Sequence, residues 1–175
     1  LAGLPPGAAA LLLVKASRAH AGPMLVVTAD TDAMRRTAES LRFFLGESDA
    51  ARTEVLHFPS ADTSPFLDVA SDRRATMDRL AALFHMAQGL PWRFLVVSAA
   101  ALIRKVTPRE AITSRSKWVR VEEELDRDEL IRVLADGGYL RVPVAEDPGT
   151  FAVRGGILDV YAPHAPYPAR IELDD

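Results

Sequence analysis

Two arginines in the last third of this 175-residue chain stand where they could bind acidic groups. Arg154 directly precedes a Gly-Gly pair, and strand alternation puts it on the face opposite Phe151 and Val153. Phe151 and Val153 suit a core, so we expect Arg154 on the open face, shared by Arg141. Guanidinium groups form bidentate, directional contacts with carboxylates. The residues therefore leave two interpretations: a carboxylate-binding pair, or two arginines that each pair with a neighbouring acid.

A glycine-containing segment near the start lies where a nucleotide-binding α/β protein would hold phosphate. A P-loop has the pattern G-x-x-x-x-G-K-[S/T], whose backbone N–H groups and lysine bind phosphate and whose hydroxyl binds Mg²⁺. Counted from Gly3, with Gly7 inside the segment, the last three positions are Ala8, Ala9 and Ala10. We therefore predict a capped helix start with no cofactor-binding residues and no cofactor. A divergent P-loop is the alternative.

Other catalytic and metal-binding patterns are missing from the sequence. There is no cysteine, the four histidines lack the spacing of metal ligands, and no G-x-S-x-G motif occurs. No run of about 18 apolar residues is present to span a membrane. We therefore predict no catalytic residue, no metal site and no membrane contact, and the absence of cysteine fits a reducing cytoplasm.

Charge is distributed unevenly along the chain. Residues 1–115 carry 14 Lys and Arg against 11 Asp and Glu, whereas residues 116–175 carry 7 against 13. The acidic second part argues against general nucleic-acid binding, and the shift fits a domain boundary near Arg115. The chain begins at Leu1 and ends at Asp175 within a strand pattern. We therefore expect a piece of a longer protein whose second domain is truncated.

The first part alternates strand-like and helix-like patterns. Continuous runs rich in β-branched residues are typical of parallel strands buried on both faces, and they occur at Met24–Thr28, Val55–Phe58 and Phe94–Ser98. Helical spacing occupies about residues 8–19, 30–45 and 72–88, with Asp30 or Thr31 as a cap and Gly46 as a stop. The alternating order predicts an α/β layer fold with crossover connections.

After about residue 116 the pattern changes to α+β. A short helix is predicted at Asp126–Ala135, with Asp126 as its cap and Glu129 completing a capping box. Gly155-Gly156 is expected to take positive φ in a two-residue hairpin turn. The strand candidates, mostly of the antiparallel type, are Trp118–Val121, Tyr139–Val142, Thr150–Arg154, Ile157–Tyr161 and Ala169–Leu173.

The second part resembles the UvrA-binding domain shared by the repair helicase UvrB and the transcription-repair coupling factors (Mfd). The resemblance rests on D-R-D-E-L-I-R-V-L-A-D-G-G-Y, then P-G-T-F-A-V-R-G-G-I-L-D-V-Y, then P-A-R-I-E, in that order. The first part is similar to their RecA-like domain 1a, through L-V-V-T-A-D near residue 25, L-R-F-F-L at 41–45 and V-S-A-A-A-L near 97. The resemblance therefore covers nearly the whole chain.

This sequence differs from UvrB in three features. UvrB carries a working P-loop and a tyrosine-rich DNA-clamping hairpin, whereas this chain lacks the P-loop, and its segment Phe58–Phe66 is short and contains no Tyr. Both losses resemble the coupling factors. The position of Ala152 is commonly a further basic residue in UvrB, so the charged part of any UvrA contact would depend mainly on Arg141 and Arg154.

The resemblance implies a division of labour within a DNA-repair protein. Residues 1–115 would be a degenerate RecA-like scaffold and residues 116–175 the UvrA-docking domain, with Arg141 and Arg154 as polar contacts and Phe151 as packing support. The parent protein would be a bacterial cytoplasmic DNA translocase that uses ATP and Mg²⁺ and contacts RNA polymerase and double-stranded DNA. The alternatives are a fragment of a UvrB-like ATP-dependent helicase and a direct DNA-binding module.

Overall fold

The computed structural model describes residues 3–46, 54–60 and 73–173. Contacts divide the chain into two compact units, Leu1–Val106 and Thr107–Asp175. The described helices are α1 (Pro6–Ala19), α2 (Thr31–Leu45), α3 (Arg73–Ala87), α4 (Ala99–Leu102), α5 (Arg109–Thr113) and α6 (Arg127–Asp136). The described strands are β1 (Met24–Thr28), β2 (Val55–Phe58), β3 (Phe94–Ser98), β4 (Leu140–Arg141), β5 (Thr150–Arg154), β6 (Ile157–Tyr161) and β7 (Ala169–Glu172).

The first unit is a parallel three-stranded sheet in the order β1-β3-β2, covered on both faces by helices. On one face α1 and α2 pack against Val55, Phe94 and Val96. On the other face α3 packs against Leu56 and Val97. Strand β3, at the centre, is buried on both faces and reads as a nearly continuous apolar run. The expected burial on both faces is wrong for the edge strand β1, where 55% of Leu25 and 52% of Val27 are exposed. The predicted α/β fold and all three strand positions are confirmed.

The helix boundaries of this unit confirm some predictions and correct others. Asp30 caps α2 by accepting a hydrogen bond from the Ala33 N–H at 2.7 Å, and Gly46 ends the helix with φ +103°. Helix α1, by contrast, begins at Pro6 rather than Ala8, and no side chain caps it. Proline suits the first helical position, since its missing N–H would have no partner there. Residues 61–72, which include most of the segment Phe58–Phe66 and the predicted first residue of α3, lie outside the described residues.

The second unit is a mixed four-stranded sheet in the order β4-β5-β6-β7. Strands β5, β6 and β7 are antiparallel neighbours, as predicted, but β4 runs parallel to β5. Strand β4 lies on the edge of β5 opposite β6, and its parallel direction departs from the antiparallel type expected for these strands. Helix α6 covers one face of the sheet through Leu130 and Leu134, which pack against Phe151 and Leu158.

The predicted strand Trp118–Val121 is wrong. The segment has no strand conformation, and 94% of Val121 and 58% of Trp118 are exposed. Its β-branched and aromatic residues favour a strand locally, but among the described residues no neighbouring strand pairs with it. Local preference without a hydrogen-bonded partner does not make a strand.

The hairpin turn between β5 and β6 uses its two glycines for different reasons. Only Gly155 takes positive φ, +60°, as the first central residue of a type II′ turn does. At Gly156 a Cβ atom would lie 2.9 Å from the backbone oxygen of Leu173, whose own N–H donates to the Gly156 oxygen at 2.9 Å. The expectation of positive φ at both positions is therefore wrong for Gly156, where close approach of the chain after β7 excludes a side chain.

Candidate partner-binding site

The two predicted site arginines lie on opposite faces of the second sheet. Arg141 is in register with Phe151, and laterally paired residues point to the same face. Phe151 faces α6, so Arg141 lies on the helix-covered face, at its open edge beyond α6. Arg154 alternates to the other face. The expectation that they share one face is therefore wrong, because the register of β4 against β5 pairs Arg141 with Phe151 and not with Ala152 or Arg154.

Arg141 lines an open groove of about 470 Å³ between α6 and β5. Arg127 and Arg132 of α6 line the same groove, together with Asp128, and its apolar lining is Ile131 and Val153. Arg127 and Ile131 are four residues apart and lie on the same side of α6, and Arg132 follows Ile131 at the edge of that side. Helical spacing could have paired Arg127 with Ile131 in the sequence, but only the fold brings the helix residues next to Arg141.

The groove is electropositive, and its one carboxylate is already engaged. Arg127 lies 3.2 Å from the Asp128 carboxylate and also donates to the Gly155 oxygen at 3.2 Å. Arg132 donates from Nε to the Asp128 backbone oxygen at 3.3 Å. Within the described residues Arg141 is exposed and has no hydrogen-bond or ion-pair partner. Its whole guanidinium is therefore available to a ligand, which excludes the interpretation that it only pairs with a neighbouring acid.

Arg154 occupies a more structured position on the opposite face. It is exposed, and its Nη2 donates to the Pro143 oxygen at 2.8 Å, which ties the hairpin to the loop after β4. Asp159 lies on this face, and its carboxylate accepts hydrogen bonds from Nε and Nη2 of Arg170 at 2.7 and 3.0 Å. The hydrogen bond from Arg170, with a smaller contribution from the charge of Arg154, lowers the pKa of Asp159 below its ordinary 3.8. Arg154 thus keeps donors directed to solvent.

Phe151 and Ala152 are both buried. Phe151 is 1% exposed and lies at the centre of the core between α6 and the sheet, in agreement with its predicted packing role. Ala152 is also 1% exposed, although it faces the side of the sheet that carries Arg154. A partner therefore meets neither residue directly in this conformation, and neither supplies charge.

The predicted degenerate loop at the start of the chain forms part of a helix. Gly7, Ala8, Ala9 and Ala10 belong to α1, Gly3 precedes it with φ +80°, and Ala10 is fully buried against the first sheet. No cationic or hydroxyl side chain occupies positions 7–10. Among the residues that the structure describes, no three His, Asp or Glu side chains converge as metal ligands, and no helix there is long and apolar enough to cross a membrane.

Asp126 fixes the start of α6, and so the groove wall. Its Oδ1 accepts from the N–H groups of Asp128 at 2.8 Å and Glu129 at 3.0 Å. The predicted cap is therefore confirmed. The predicted capping box is wrong, because the Glu129 carboxylate forms an ion pair with Lys117 at 3.0 Å instead of accepting from the Asp126 N–H. The Glu129 N–H, followed by that of Asp128, lowers the pKa of Asp126 from its ordinary 3.8.

That lowered pKa predicts a pH effect on stability. Because the folded-state pKa lies below the unfolded value, the Asp126 carboxylate stabilises the folded chain above pH 3.8, and this contribution is lost as the pH falls through the folded-state pKa. We expect the melting temperature of Asp126→Asn, which caps without titrating, to fall less between about pH 5 and pH 3 than that of the wild type. Thermal melts across this range measure it. Asp136→Asn, at the other end of α6, is the control and should follow the wild-type curve.

Comparison with known proteins agrees with this architecture. Residues 118–175 match the family described as the UvrB interaction domain. The fold and site therefore define an α/β protein that carries a UvrB interaction domain. Aligned over 98% of the chain, it is 38% identical to the transcription-repair-coupling factor of Myxococcus xanthus. Identity is 34% over 95% of the chain for that of Mycobacterium tuberculosis, and 25% over the full chain for that of Escherichia coli.

The chain is thus homologous to the N-terminal region of the transcription-repair-coupling factors over nearly its whole length. This confirms the resemblance drawn from the motifs. The chain spans only about a seventh of the length of these curated relatives, 14% for Myxococcus xanthus and 15% for Escherichia coli.

Proposed function

We propose that this chain is the part of a transcription-repair-coupling factor that docks the repair protein UvrA. Homology along nearly the whole chain and the UvrB interaction domain at residues 118–175 support a role in DNA repair. The observation that carries the docking role is Arg141, an exposed guanidinium without a partner among the described residues, at the edge of an electropositive groove. Arg154 contributes a second polar contact at the turn, and Phe151 holds the strand that carries it.

The first unit serves as a scaffold in this proposal. Its parallel sheet has the layered form of a nucleotide-binding fold, but its first described helix begins with Pro6 and continues through three alanines. A P-loop holds phosphate with a lysine and a hydroxyl residue that this helix start does not supply. The unit therefore positions the docking domain without binding ATP.

The proposal extends to the longer protein. There, an ATP- and Mg²⁺-dependent motor would move on double-stranded DNA in the bacterial cytoplasm and act on stalled RNA polymerase. This chain would then bring UvrA to the site and so couple transcription to nucleotide excision repair. Acidic composition supports protein docking rather than direct DNA binding, since residues 116–175 carry 13 acidic against 7 basic residues.

A direct binding measurement tests the docking role. We expect the immobilised 175-residue chain to capture purified UvrA, and to bind neither a fluorescent ATP analogue nor a short DNA duplex near physiological salt. Biolayer interferometry measures all three. Absence of UvrA capture would contradict the proposal. ATP-analogue binding that mutation around Gly3–Gly7 abolishes would instead indicate a UvrB-like ATPase fragment, and salt-sensitive duplex binding would indicate a DNA-binding module.

A further inference from the structure

The groove between α6 and β5 is lined by residues that could contact a ligand at several points, not through Arg141 alone. Its walls carry Arg127 and Arg132 on the helix side and Arg141 on the strand side. Its floor is apolar, formed by Ile131 and Val153, both only partly buried against the core. Of the three arginines that line the groove, only Arg141 was predicted from the sequence, and the fold adds Arg127 and Arg132.

We propose that this groove receives a peptide segment of the partner in which acidic residues flank an apolar side chain, with Arg127 and Arg132 as further binding residues. The proposal rests on the docking function above and names the chemistry of the docked segment. Arginines on two walls match carboxylates on both sides of the segment, because guanidinium groups bind carboxylates with two parallel hydrogen bonds. The apolar floor matches the side chain between those carboxylates.

The internal contacts of the groove leave most of its binding capacity free. Arg132 uses only its Nε, on a backbone oxygen, and Arg141 has no partner among the described residues. Asp128, the acid of the groove, is paired with Arg127 at 3.2 Å, so its charge is largely compensated before a ligand arrives. Three guanidinium groups against one engaged carboxylate give a net positive local field, which attracts acidic groups.

The surroundings favour a peptide over a nucleic acid. Outside the groove the second unit is acidic, with Glu122, Glu123 and Glu124 as a continuous run on its surface. A phosphate backbone carries a charge at every nucleotide, so its length beyond the groove would lie on a unit with excess negative charge. A short segment with two or three carboxylates would not extend that far. Moreover, the floor of Ile131 and Val153 offers no aromatic ring on which a base could stack.

Binding of a synthetic peptide by the full 175-residue chain tests the proposal. The probe is an acetylated pentapeptide with the sequence Glu-Leu-Glu-Leu-Glu, compared with Lys-Leu-Lys-Leu-Lys and Glu-Gly-Glu-Gly-Glu. We expect the first peptide to shift the amide NMR signals of residues 127–132 and 153–155, with weaker binding of the glycine peptide and none of the lysine peptide. Equal shifts for all three peptides, or shifts confined to the face with Asp159 and Arg170, would overturn the proposal. So would competition by a single-stranded oligonucleotide at the same residues with higher affinity than the peptide.

Charge reversal on the helix wall provides the matched comparison. We expect Arg132→Glu to weaken peptide binding about tenfold, because it replaces a charge-assisted hydrogen bond with repulsion. Arg120→Glu makes the same charge change at an exposed position of the same unit that does not line the groove, and should change binding less than about twofold. Since Arg132 is exposed, both variants should keep the wild-type melting temperature within a few degrees. Equal weakening by the two substitutions would overturn the assignment of Arg132.

Measurement of UvrA binding by the same variants separates this proposal from the docking function. If the wild type and Arg132→Glu capture UvrA equally, docking stands and the groove proposal fails. If the wild type binds the acidic peptide in the groove but captures no UvrA, the groove proposal stands and the proposed docking of UvrA is contradicted. Parallel loss of peptide and UvrA binding in Arg132→Glu supports both.

Discussion

Replacement of Phe151 by alanine is expected to lower the free energy of unfolding of the second unit by about 3–5 kcal/mol. The side chain is 1% exposed and packs among Leu130, Leu134 and Leu158, so truncation leaves a cavity that α6 and the sheet cannot fill without moving. A small domain has only a few kcal/mol of stability in reserve, so much of this unit would be unfolded near physiological temperature. Urea denaturation followed by the amide NMR signals of residues 127–160 measures the loss.

The control for Phe151 is the same substitution on the surface. Phe43→Ala removes a ring that is 66% exposed on α2, where it makes an edge-to-face contact with Phe44. We expect a loss of about 1 kcal/mol or less for the first unit. Comparable losses at the two positions would contradict the central place of Phe151 in the core. A third variant, Phe151→Leu, keeps most of the apolar volume and should retain UvrA capture, since the proposed role of Phe151 is to support the site from the core.

Charge reversal at Arg141 is expected to weaken UvrA capture by about 30-fold, which corresponds to about 2 kcal/mol, the loss typical of a hot-spot arginine. The melting temperature should stay close to the wild-type value, because Arg141 is exposed and has no partner within the described residues. Equilibrium binding to immobilised UvrA gives the affinity, and a thermal melt of the same sample gives the stability. Unchanged affinity would remove Arg141 from the proposed contact.

Arg154→Glu is also expected to weaken UvrA capture, because it removes a second contact that is independent of Arg141. Arg154 lies on the other face of the sheet and three residues further along β5 than the register partner of Arg141, a distance of about 10 Å along the strand. Independent contacts at such a separation contribute additively, so the double variant should lose about the sum of the two single losses in binding free energy. Because Arg154 also donates to the Pro143 oxygen, Arg154→Lys serves as the charge-preserving control. A double variant no weaker than Arg141→Glu alone would contradict two separate contacts.

Much of the fold could be predicted from the sequence because its signals are local. The runs Met24–Thr28 and Phe94–Ser98 each begin with four apolar residues, a pattern typical of strands in a buried parallel sheet. Both runs are strands, although only β3 is buried on both faces. Asp30 and Asp126 provide carboxylates at the point where free backbone N–H groups need acceptors, so both caps follow from neighbouring residues alone. Trp118–Val121 shows where local signals fail, because a strand also needs a partner that the nearby residues do not reveal.

The sequence by itself determined the α/β order of the first unit, the helix and hairpin of the second, the burial of Phe151 and the family to which the chain is homologous. Each of these depends on periodicity, capping or residue order within a short stretch of chain. Only the tertiary structure decided that Arg141 and Arg154 lie on opposite faces, and that Arg127 and Arg132 join Arg141 around one groove. The reason is that strand direction and register place residues about 10 to 15 positions apart side by side, and a single step in register moves a side chain to the other face of a sheet.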